Sequence, residues 1–298
     1  MREVHSSAYI VSFAVIFALA MMIAASINIF AFKYNADGYS ALAVYQFNKL
    51  KHLEKIDIAV VGDSSGGNGV DAGYLGELTQ KKVVSLSLTG SFGYAGSYFM
   101  AQKAIERGAK KIVLIHTVDT LTRAVDGERS VEVLGFLAAD SGLERLWFPQ
   151  LYFNLDTLRG IIKGVSNPSA SRPNEAVSIS QNDYWPQRDS VTINKDISFS
   201  KNDINSEKTR YLLEIAKLCT VNDVECIYLH GPIHESFCKK ENGYLEEANA
   251  IIARAGVPLY GGPYCMTDKE MGDADDHISP SYKKNSTTFY YNAFLKSI

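Results

Sequence analysis

The sequence predicts a three-layer α/β/α domain with a parallel central sheet, preceded by one N-terminal transmembrane helix. Two observations indicate this class. From residue 55 onwards, short apolar runs alternate with amphipathic stretches, and such a βαβ alternation places helices on both faces of a parallel sheet. Residues 8 to 32 carry no charged side chain. A chain of 298 residues, 46% of them hydrophobic, is long enough for one domain of this kind with appendages.

The N-terminal region divides into a short tail (1–7), a membrane anchor (8–32) and a connector (33–54). At ~1.5 Å per residue, a helix over the anchor exceeds the ~30 Å hydrocarbon core of a bilayer. A cleaved signal peptide is the alternative, because Ala24-Ala25-Ser26 offers small residues, but its apolar region would be only ~7–15 residues long. We therefore predict an uncleaved anchor, followed by an amphipathic connector of irregular helical spacing.

Strands and helices then alternate through the rest of the chain, residues 55–298. Predicted strands cover residues 56–61, 82–88, 111–116, 225–230 and 258–260, and predicted helices cover residues 72–80, 96–108, 207–220, 243–255 and 281–295. Between about residues 166 and 201 the pattern breaks into a polar excursion that reads as a long loop. Tyr184 and Trp185 lie in it, and aromatic side chains in a polar loop need a surface to cover. We predict that they contact a sugar or a partner; a disordered insertion without function is the alternative.

Composition limits the class of function. The net charge is −3 and no stripe of Arg or Lys is present, so nucleic-acid binding is not expected. The four cysteines form no Cys-x-x-Cys pair, which argues against zinc. Cys226 falls in an apolar strand and is predicted to be a small buried residue. Cys238 and Cys265 both follow strands at one edge of the sheet, and we predict a disulfide between them in an oxidising compartment.

The most informative motif is Asp57-Ile-Ala-Val-Val-Gly-Asp63-Ser64-Ser65, an apolar strand that stops in a glycine turn. A buried parallel strand that ends in a tight turn can raise a hydroxyl above the edge of the sheet. Ser64 is therefore the candidate nucleophile. Ser65 is predicted to cap the next helix, and Asp63 is predicted to accept hydrogen bonds within the turn. Serine needs a general base to act as a nucleophile.

The candidate base is His277, in Met271-Gly-Asp-Ala-Asp-Asp-His277, before the last predicted helix. An acid a few residues before a histidine can fix the imidazole tautomer while its other nitrogen faces the serine. In a helical turn Asp273 would share a face with His277, whereas in an extended loop Asp275 would. Both remain candidates.

These residues resemble, in order, the SGNH (GDSL-like) hydrolases: Gly62-Asp63-Ser64-Ser65, then Gly90, then the terminal Asp and His277. The resemblance covers about residues 55–295 and is closest to membrane-anchored members that O-acylate bacterial cell-surface polysaccharides. It departs from the family at Ala274, where the usual Asp would stand, and in lacking a clear Gly-x-Asn-Asp block. It implies an oxyanion hole formed by the Ser64 and Gly90 amides, with one donor unassigned.

Further residues are predicted to line the substrate site. Asp63 lies in the glycine turn, His116 ends a predicted strand, and His230 and His234 follow the next. Gly231-Pro232 prevents a helix between His230 and His234, which argues against their joint use as metal ligands. We expect no metal or other cofactor.

The predicted function is therefore extracytoplasmic transfer of an O-acyl group, predicted to be acetyl, to a polysaccharide acceptor through a Ser64 acyl-enzyme. The resemblance implies a single-pass protein of the bacterial inner (cytoplasmic) membrane, with its catalytic domain in the periplasm. It also implies a multi-pass membrane-bound O-acyltransferase-type partner that supplies the acyl group. The alternatives are an esterase or carbohydrate deacetylase with the same triad, and a degenerate domain that binds glycan or scaffolds a complex.

Overall fold

A parallel sheet of four strands forms the centre of the molecule in a computed structural model, which describes residues 3–34, 38–123, 128–139, 197–240 and 243–295. The strands are β1 (Ile58–Gly62), β2 (Val83–Ser85), β3 (Lys111–His116) and β4 (Glu225–His230), in the spatial order β2-β1-β3-β4. The predicted α/β class with a parallel sheet is confirmed.

Helices surround this sheet. Those described are α1 (Glu3–Tyr34), α2 (Gly38–His52), α3 (Ser64–Gly69), α4 (Ala72–Thr79), α5 (Gly93–Glu106), α6 (Glu128–Ala138), α7 (Arg210–Val221), α8 (Glu235–Cys238), α9 (Gly243–Arg254) and α10 (Lys283–Tyr290). Two further short strands, β5 (Ile233–His234) and β6 (Cys265–Met266), pair in parallel beside the main sheet.

Both faces of the sheet are buried. Ala59 and Val61 of β1 belong to one apolar cluster, and their neighbours Ile58 and Val60 belong to another. Successive side chains of a strand point to opposite faces, so the two clusters lie on the two sides of the sheet. Residues of α2, α5, α7 and α9 fill the first cluster. Leu75 of α4 and Tyr290 of α10 contribute to the second.

Several predicted elements differ from the observed ones in length. Strand β2 stops at Ser85, although Leu86 and Leu88 still donate backbone hydrogen bonds to β1. The strand predicted at residues 258–260 is a single bridge between Leu259 and Tyr228. The last predicted helix, residues 281–295, is a 3₁₀ turn, then α10, then a π-helical turn at Tyr291–Leu295.

The predicted connector, residues 33–54, contains a helix that packs into the domain. Leu42, Phe47 and Leu50 of α2 are buried in the first apolar cluster. The Gln46 side chain donates a 3.1 Å hydrogen bond to the carbonyl of Ser87, in the loop after β2. The packed unit therefore includes α2 and begins before residue 55.

The N-terminal helix α1 is long and apolar enough to cross a membrane. Its segment Ala8–Ile29 has 22 residues and a mean hydropathy of 2.6. Large apolar side chains along it are exposed, among them Ile10 and Phe13, as expected for a lipid-facing helix. Near its end, Ile29 packs against Val133 and Phe136 of α6.

Two disulfides fasten the C-terminal third of the chain. The predicted pair, Cys238 and Cys265, is bonded and links the end of α8 to β6. Cys226 of β4 is bonded to Cys219 of α7, which differs from the expectation of an unpaired buried cysteine. The cause is the packing of α7 against β4, which brings the two α-carbons to 6.2 Å, within the range that a disulfide spans.

Most of the predicted polar excursion, residues 166–201, lies outside the described residues, and so do Tyr184 and Trp185. Its described end, residues 197–201, starts with Ile197, which is buried. The Ile197 carbonyl accepts a 3.0 Å hydrogen bond from the Lys240 ammonium.

Candidate active site

The candidate site lies at the carboxyl edge of the sheet, where β1, β3 and β4 end side by side. Gly62 pairs with Ile115, and His116 pairs with His230. Asp63 and Ser64 follow β1 directly. In open α/β sheets this edge is where ligands bind.

Close backbone packing explains the glycines of the turn after β1. A β-carbon on Gly62 would collide with the carbonyl oxygen of Ile115, and one on Gly66 would lie 2.8 Å from the same oxygen. A β-carbon on Gly231 would collide with the Ser65 hydroxyl. The first turn of α3 therefore lies directly on the ends of β3 and β4, which fixes the position of Ser64 at its start.

Asp63 is the N-cap of α3 and is almost completely buried. Its Oδ1 accepts hydrogen bonds from the Ser65 amide at 3.0 Å and the Ser65 hydroxyl at 2.6 Å. Its Oδ2 accepts one from the Thr117 amide at 3.0 Å and lies 3.5 Å from His116 Nδ1. Burial raises the pKa of Asp63, but the His116 side chain, the Arg123 charge and the Ser65 hydrogen bond outweigh it, so the pKa lies well below its ordinary value.

The predicted cap, Ser65, is thus wrong: Asp63 is the cap, and Ser65 donates to it. This separates the two adjacent hydroxyls. Ser65 is fully buried and its hydroxyl is bound to Asp63. Ser64 is partly exposed, and its hydroxyl makes no hydrogen bond within the described part of the chain. Ser64 is therefore the hydroxyl available for chemistry.

His277 lies on the loop that leads into α10 and is paired with Asp273. Its Nδ1 is 2.7 Å from Asp273 Oδ1. The His277 amide donates to the Ala274 carbonyl at 3.2 Å, and the His277 carbonyl accepts from the Gly272 amide at 2.7 Å. The backbone thus closes on itself between Gly272 and His277, next to the antiparallel bridge of Met271 with Ile278. Asp273 directly follows Gly272 and is thereby brought beside the ring.

Asp275 has a different environment. Its backbone carbonyl accepts a 2.8 Å hydrogen bond from the His234 amide, and no contact of its carboxylate with His277 occurs among the described residues. Burial and the neighbouring charge of Asp276 raise the pKa of Asp275. Of the two acids that the sequence left open, the geometry brings only Asp273 to the imidazole.

A third acid, Asp276, faces the other side of the ring and was not predicted from the sequence. Its Oδ1 lies 3.5 Å from His277 Nε2, and its side chain is almost completely buried. Burial lowers the pKa of His277, but the charges of Asp276, Asp273 and Asp63 raise it, and the pKa lies above its ordinary value. His277 is therefore held between two carboxylates.

Arg123, also missed by the sequence reasoning, connects Asp276 to the rest of the site. Its Nη2 donates to Asp276 Oδ2 at 3.1 Å and its Nε donates to Asp119 Oδ2 at 3.2 Å. A β-carbon on Gly90 would lie only 2.7 Å from Arg123 Nη1. One guanidinium thus contacts the loops after β2 and β3 and the loop before α10. No local sequence motif predicts the contact between Arg123 and Asp276, because the two residues are 153 positions apart.

The helices that carry Ser64 and follow His277 pack against each other. The Lys283 ammonium of α10 donates a 2.8 Å hydrogen bond to the Gly67 carbonyl of α3, and the Ser286 hydroxyl donates to the Gly69 carbonyl. Ser64 and His277 are thereby brought to one edge, although no hydrogen bond joins them within the described residues. The Nε2 of His277 faces Asp276 in this conformation.

The two predicted oxyanion donors begin short helical segments. Ser64 is the first residue of α3, and Gly90 is the first residue of a 3₁₀ turn, Gly90–Phe92. Amides at the start of a helix have no acceptor within it. Both amides are thus free of helical hydrogen bonds at the carboxyl edge of the sheet.

The other predicted histidines are buried and bound to protein groups. His116 Nε2 is 2.8 Å from the Ser97 hydroxyl, and His230 Nε2 is 2.6 Å from Asn249 Oδ1. Burial lowers the pKa of His230 to about 4. His234 lies between Ser236 and Asp268, with nitrogen–oxygen distances of 2.9 and 2.8 Å.

These histidines and Asp63 lie below the surface, with 0 to 5% of each residue exposed. A substrate at the surface would reach none of them without a rearrangement of the protein. Their observed contacts instead orient the chain around Ser64 and around the loop before α10.

In comparisons with known proteins, no family model matches the chain, and no curated protein is significantly similar to it. The fold and the site define an α/β protein with a parallel central sheet and one apolar N-terminal helix.

Proposed function

We propose that the protein is a membrane-anchored, extracytoplasmic O-acyltransferase that transfers an acyl group, acetyl in our proposal, to a cell-surface polysaccharide through a serine acyl-enzyme. The observation that carries the proposal is the Asp273–His277 pair, 2.7 Å apart, on the loop whose helix packs against the helix that begins at Ser64. The substrate class is proposed from the resemblance of the chain to SGNH proteins that O-acylate polysaccharides.

In the first half-reaction, the Ser64 hydroxyl oxygen attacks the acyl carbonyl carbon and its proton passes to His277 Nε2. The electron pair of the carbonyl moves to its oxygen, and the Ser64 and Gly90 amides donate hydrogen bonds to that oxyanion. Asp273 accepts a hydrogen bond from Nδ1–H, which keeps that proton on Nδ1 and leaves Nε2 as the basic nitrogen. The bond to the leaving group then breaks, and the leaving group takes the proton from His277.

In the second half-reaction, a sugar hydroxyl attacks the acyl-enzyme while His277 Nε2 takes its proton. The ester bond to Ser64 breaks, and Ser64 regains a proton from His277. To act in either step, Nε2 must turn from Asp276 towards the Ser64 hydroxyl. Catalytic hydrogen bonds are often long or misaligned without substrate and tighten when it binds.

The location of the domain is supported by two features. Helix α1 is long and apolar enough for a single membrane span, and all four cysteines are in disulfides, which persist in oxidising compartments. We infer a domain held on the periplasmic side of the bacterial inner membrane. The resemblance further implies a multi-pass O-acyltransferase-type partner that delivers the acyl group.

A non-catalytic role is the second candidate, as a glycan-binding or scaffold domain. The observation that favours it is the orientation of His277, whose Nε2 lies 3.5 Å from Asp276 Oδ1 and makes no hydrogen bond to Ser64 within the described residues. If this orientation persists with substrate, the serine has no base.

Acyl transfer by the full chain in detergent separates these functions. The protein is given 4-nitrophenyl acetate with and without an O-deacetylated polysaccharide. We expect slow hydrolysis without acceptor and acetyl transfer to the glycan with it, because a bound hydroxyl gains effective molarity over water. Both reactions should vanish in Ser64→Ala. Fast hydrolysis that no glycan diverts would indicate an esterase, and glycan binding without turnover would indicate the non-catalytic role.

A further inference from the structure

The guanidinium of Arg123 is held by two of its three nitrogens. Nε donates to Asp119 at 3.2 Å and Nη2 donates to Asp276 at 3.1 Å. The third nitrogen, Nη1, makes no hydrogen bond to any described residue. It lies against Gly90, where a β-carbon would be 2.7 Å from it. The Arg123 side chain is 31% exposed, so it is only partly covered by the protein.

We propose that Arg123 is a catalytic residue whose Nη1 donates a hydrogen bond to the oxyanion formed when Ser64 attacks the acyl carbonyl. This rests on the proposed serine acyl-enzyme. It identifies the third donor of the oxyanion hole, for which the sequence offered no residue. The donor comes from the loop after β3, and it acts beside the Gly90 amide.

The electrostatics of the site suit this role. Hydrogen bonds from an ionised donor to an oxyanion are roughly twice as strong as those between neutral groups. Burial lowers the pKa of Arg123, but the charges of Asp276, Asp119 and Asp63 raise it above its ordinary value, so the guanidinium stays protonated throughout. The Arg123 charge also lowers the pKa of Asp63, the residue before Ser64.

The two carboxylates also restrict the motion of the guanidinium. A donor fixed before the reaction needs no reorganisation when the charge develops, which is the main advantage of an oxyanion hole. The electron pair of the carbonyl moves to its oxygen and back when the leaving group departs, and Arg123 neither gives nor takes a proton. Gly90 is required to be small because this guanidinium lies against it.

An effect of Arg123 through its neighbours must be separated from a direct one. Removal of the guanidinium also frees Asp276, whose Oδ1 lies 3.5 Å from His277 Nε2, and a freed carboxylate would stabilise protonated His277. That indirect effect disappears at a pH high enough to keep His277 neutral. Loss of an oxyanion donor persists there.

The test measures turnover of 4-nitrophenyl acetate by the full chain from low pH to the alkaline plateau, for the wild type and Arg123→Gln. We expect the plateau kcat to fall by about 10²–10³, the loss typical of one oxyanion donor, with KM little changed. The matched control is Arg254→Gln, since Arg254 is 66% exposed and pairs with Glu247 on α9; it should react like the wild type.

Gly90→Ala provides a second variant in case Arg123→Gln unfolds. Its methyl group would displace Nη1 and leave the Gly90 amide in place, so kcat should also fall, with an unchanged melting temperature. An Arg123→Gln plateau rate equal to that of the wild type, or a loss confined to low pH, would overturn the proposal. A wild-type protein without Ser64-dependent turnover would overturn the proposed function itself and this inference with it.

Discussion

His277 Nδ1 lies 2.7 Å from Asp273 Oδ1, and the two residues are four positions apart on one loop. The adjacent acid, Asp275, makes no contact with that ring in the described structure and instead accepts the His234 amide through its carbonyl. Of the two acids that the sequence left open, only Asp273 is thereby in place to orient the proposed base.

The first prediction follows from that pairing. Asp273→Asn should reduce kcat by about 10⁴, because an amide favours the wrong imidazole tautomer, while the melting temperature changes little. Asp275→Asn is the matched control and should retain most of the activity. Ester hydrolysis and a melting curve for each variant provide the measurement. Equal and mild losses in the two variants would contradict the assignment of Asp273.

The second prediction concerns the protonation of His277. Because its pKa is raised, the acid limb of the rate profile should lie above pH ~6.5, the ordinary value for histidine. Asp276→Asn removes the largest of the charges that raise the pKa of His277 and should therefore move the acid limb to lower pH. Because the pKa of His277 is higher in the folded than in the unfolded protein, protonation of the ring also increases the free energy of unfolding. This contribution is complete below pH ~6.5 and is lost as the pH rises through the pKa of His277 in the folded protein. NMR titration of the His277 ring measures both effects; an unchanged pKa in Asp276→Asn would contradict them.

The third prediction concerns Asp63, whose carboxylate accepts three hydrogen bonds from Ser65 and Thr117. In Asp63→Asn an NH₂ group would face one of these buried donors, which should destabilise the protein by roughly 1–3 kcal/mol. Asp71→Asn is the matched control, because Asp71 caps α4 through one hydrogen bond from Tyr74 and Asn caps a helix as well as Asp does. Urea unfolding compares them; equal midpoints would contradict this role of Asp63.

The wild-type protein should also lose stability in acid because of Asp63. Its folded pKa is depressed, so its contribution is present above the unfolded pKa of ~3.9 and is lost as pH falls towards the folded value. The stability difference between wild type and Asp63→Asn should therefore narrow below pH ~4. A constant difference from neutral pH to acid would show that the ionised form is not what stabilises the turn.

The fourth prediction concerns the disulfides. The Cys238–Cys265 bond spans 27 residues and the Cys219–Cys226 bond spans 7. Loop-closure entropy then gives about 3.5 and about 2.5 kcal/mol of stabilisation, respectively. Replacement of each pair by serine should therefore destabilise the protein more for the longer loop, as measured by urea unfolding. Mass spectrometry of non-reduced protein from its native membrane should find no free thiol; four free thiols would contradict the extracytoplasmic location.

The sequence predicted the sheet well where a strand is buried on both faces. Strands β3 and β4 have the bounds that their apolar runs predict, and every residue of both except Glu225 is buried. The prediction was less accurate at β2, whose regular part ends at Ser85, before its apolar run does. The connector was separated from the domain because its irregular spacing does not reveal that Leu42 and Phe47 are buried.

The sequence indicates the candidate residues that lie in short motifs, but not the long-range contacts of the candidate site. Ser64, His277 and the two alternative acids, Asp273 and Asp275, lie within such motifs, and only the structure separates the two acids. Arg123 and Asp276 meet only because the loops after β3 and before α10 converge at the edge of the sheet. The Cys219–Cys226 bond likewise depends on the packing of α7 against β4. His230 was predicted to line the substrate site, but it is buried and its Nε2 is hydrogen-bonded to Asn249.

The proposal that Ser64 is a nucleophile activated by His277 can be tested by covalent labelling of the full chain with a fluorophosphonate, followed by peptide mass spectrometry. We expect one adduct on Ser64, absent in Ser64→Ala and formed much more slowly in His277→Ala. In Ser65→Ala the adduct should still form on Ser64, because the Ser65 hydroxyl is buried and bound to Asp63. An unlabelled wild-type protein, or an adduct that survives Ser64→Ala and is lost in Ser65→Ala, would contradict it.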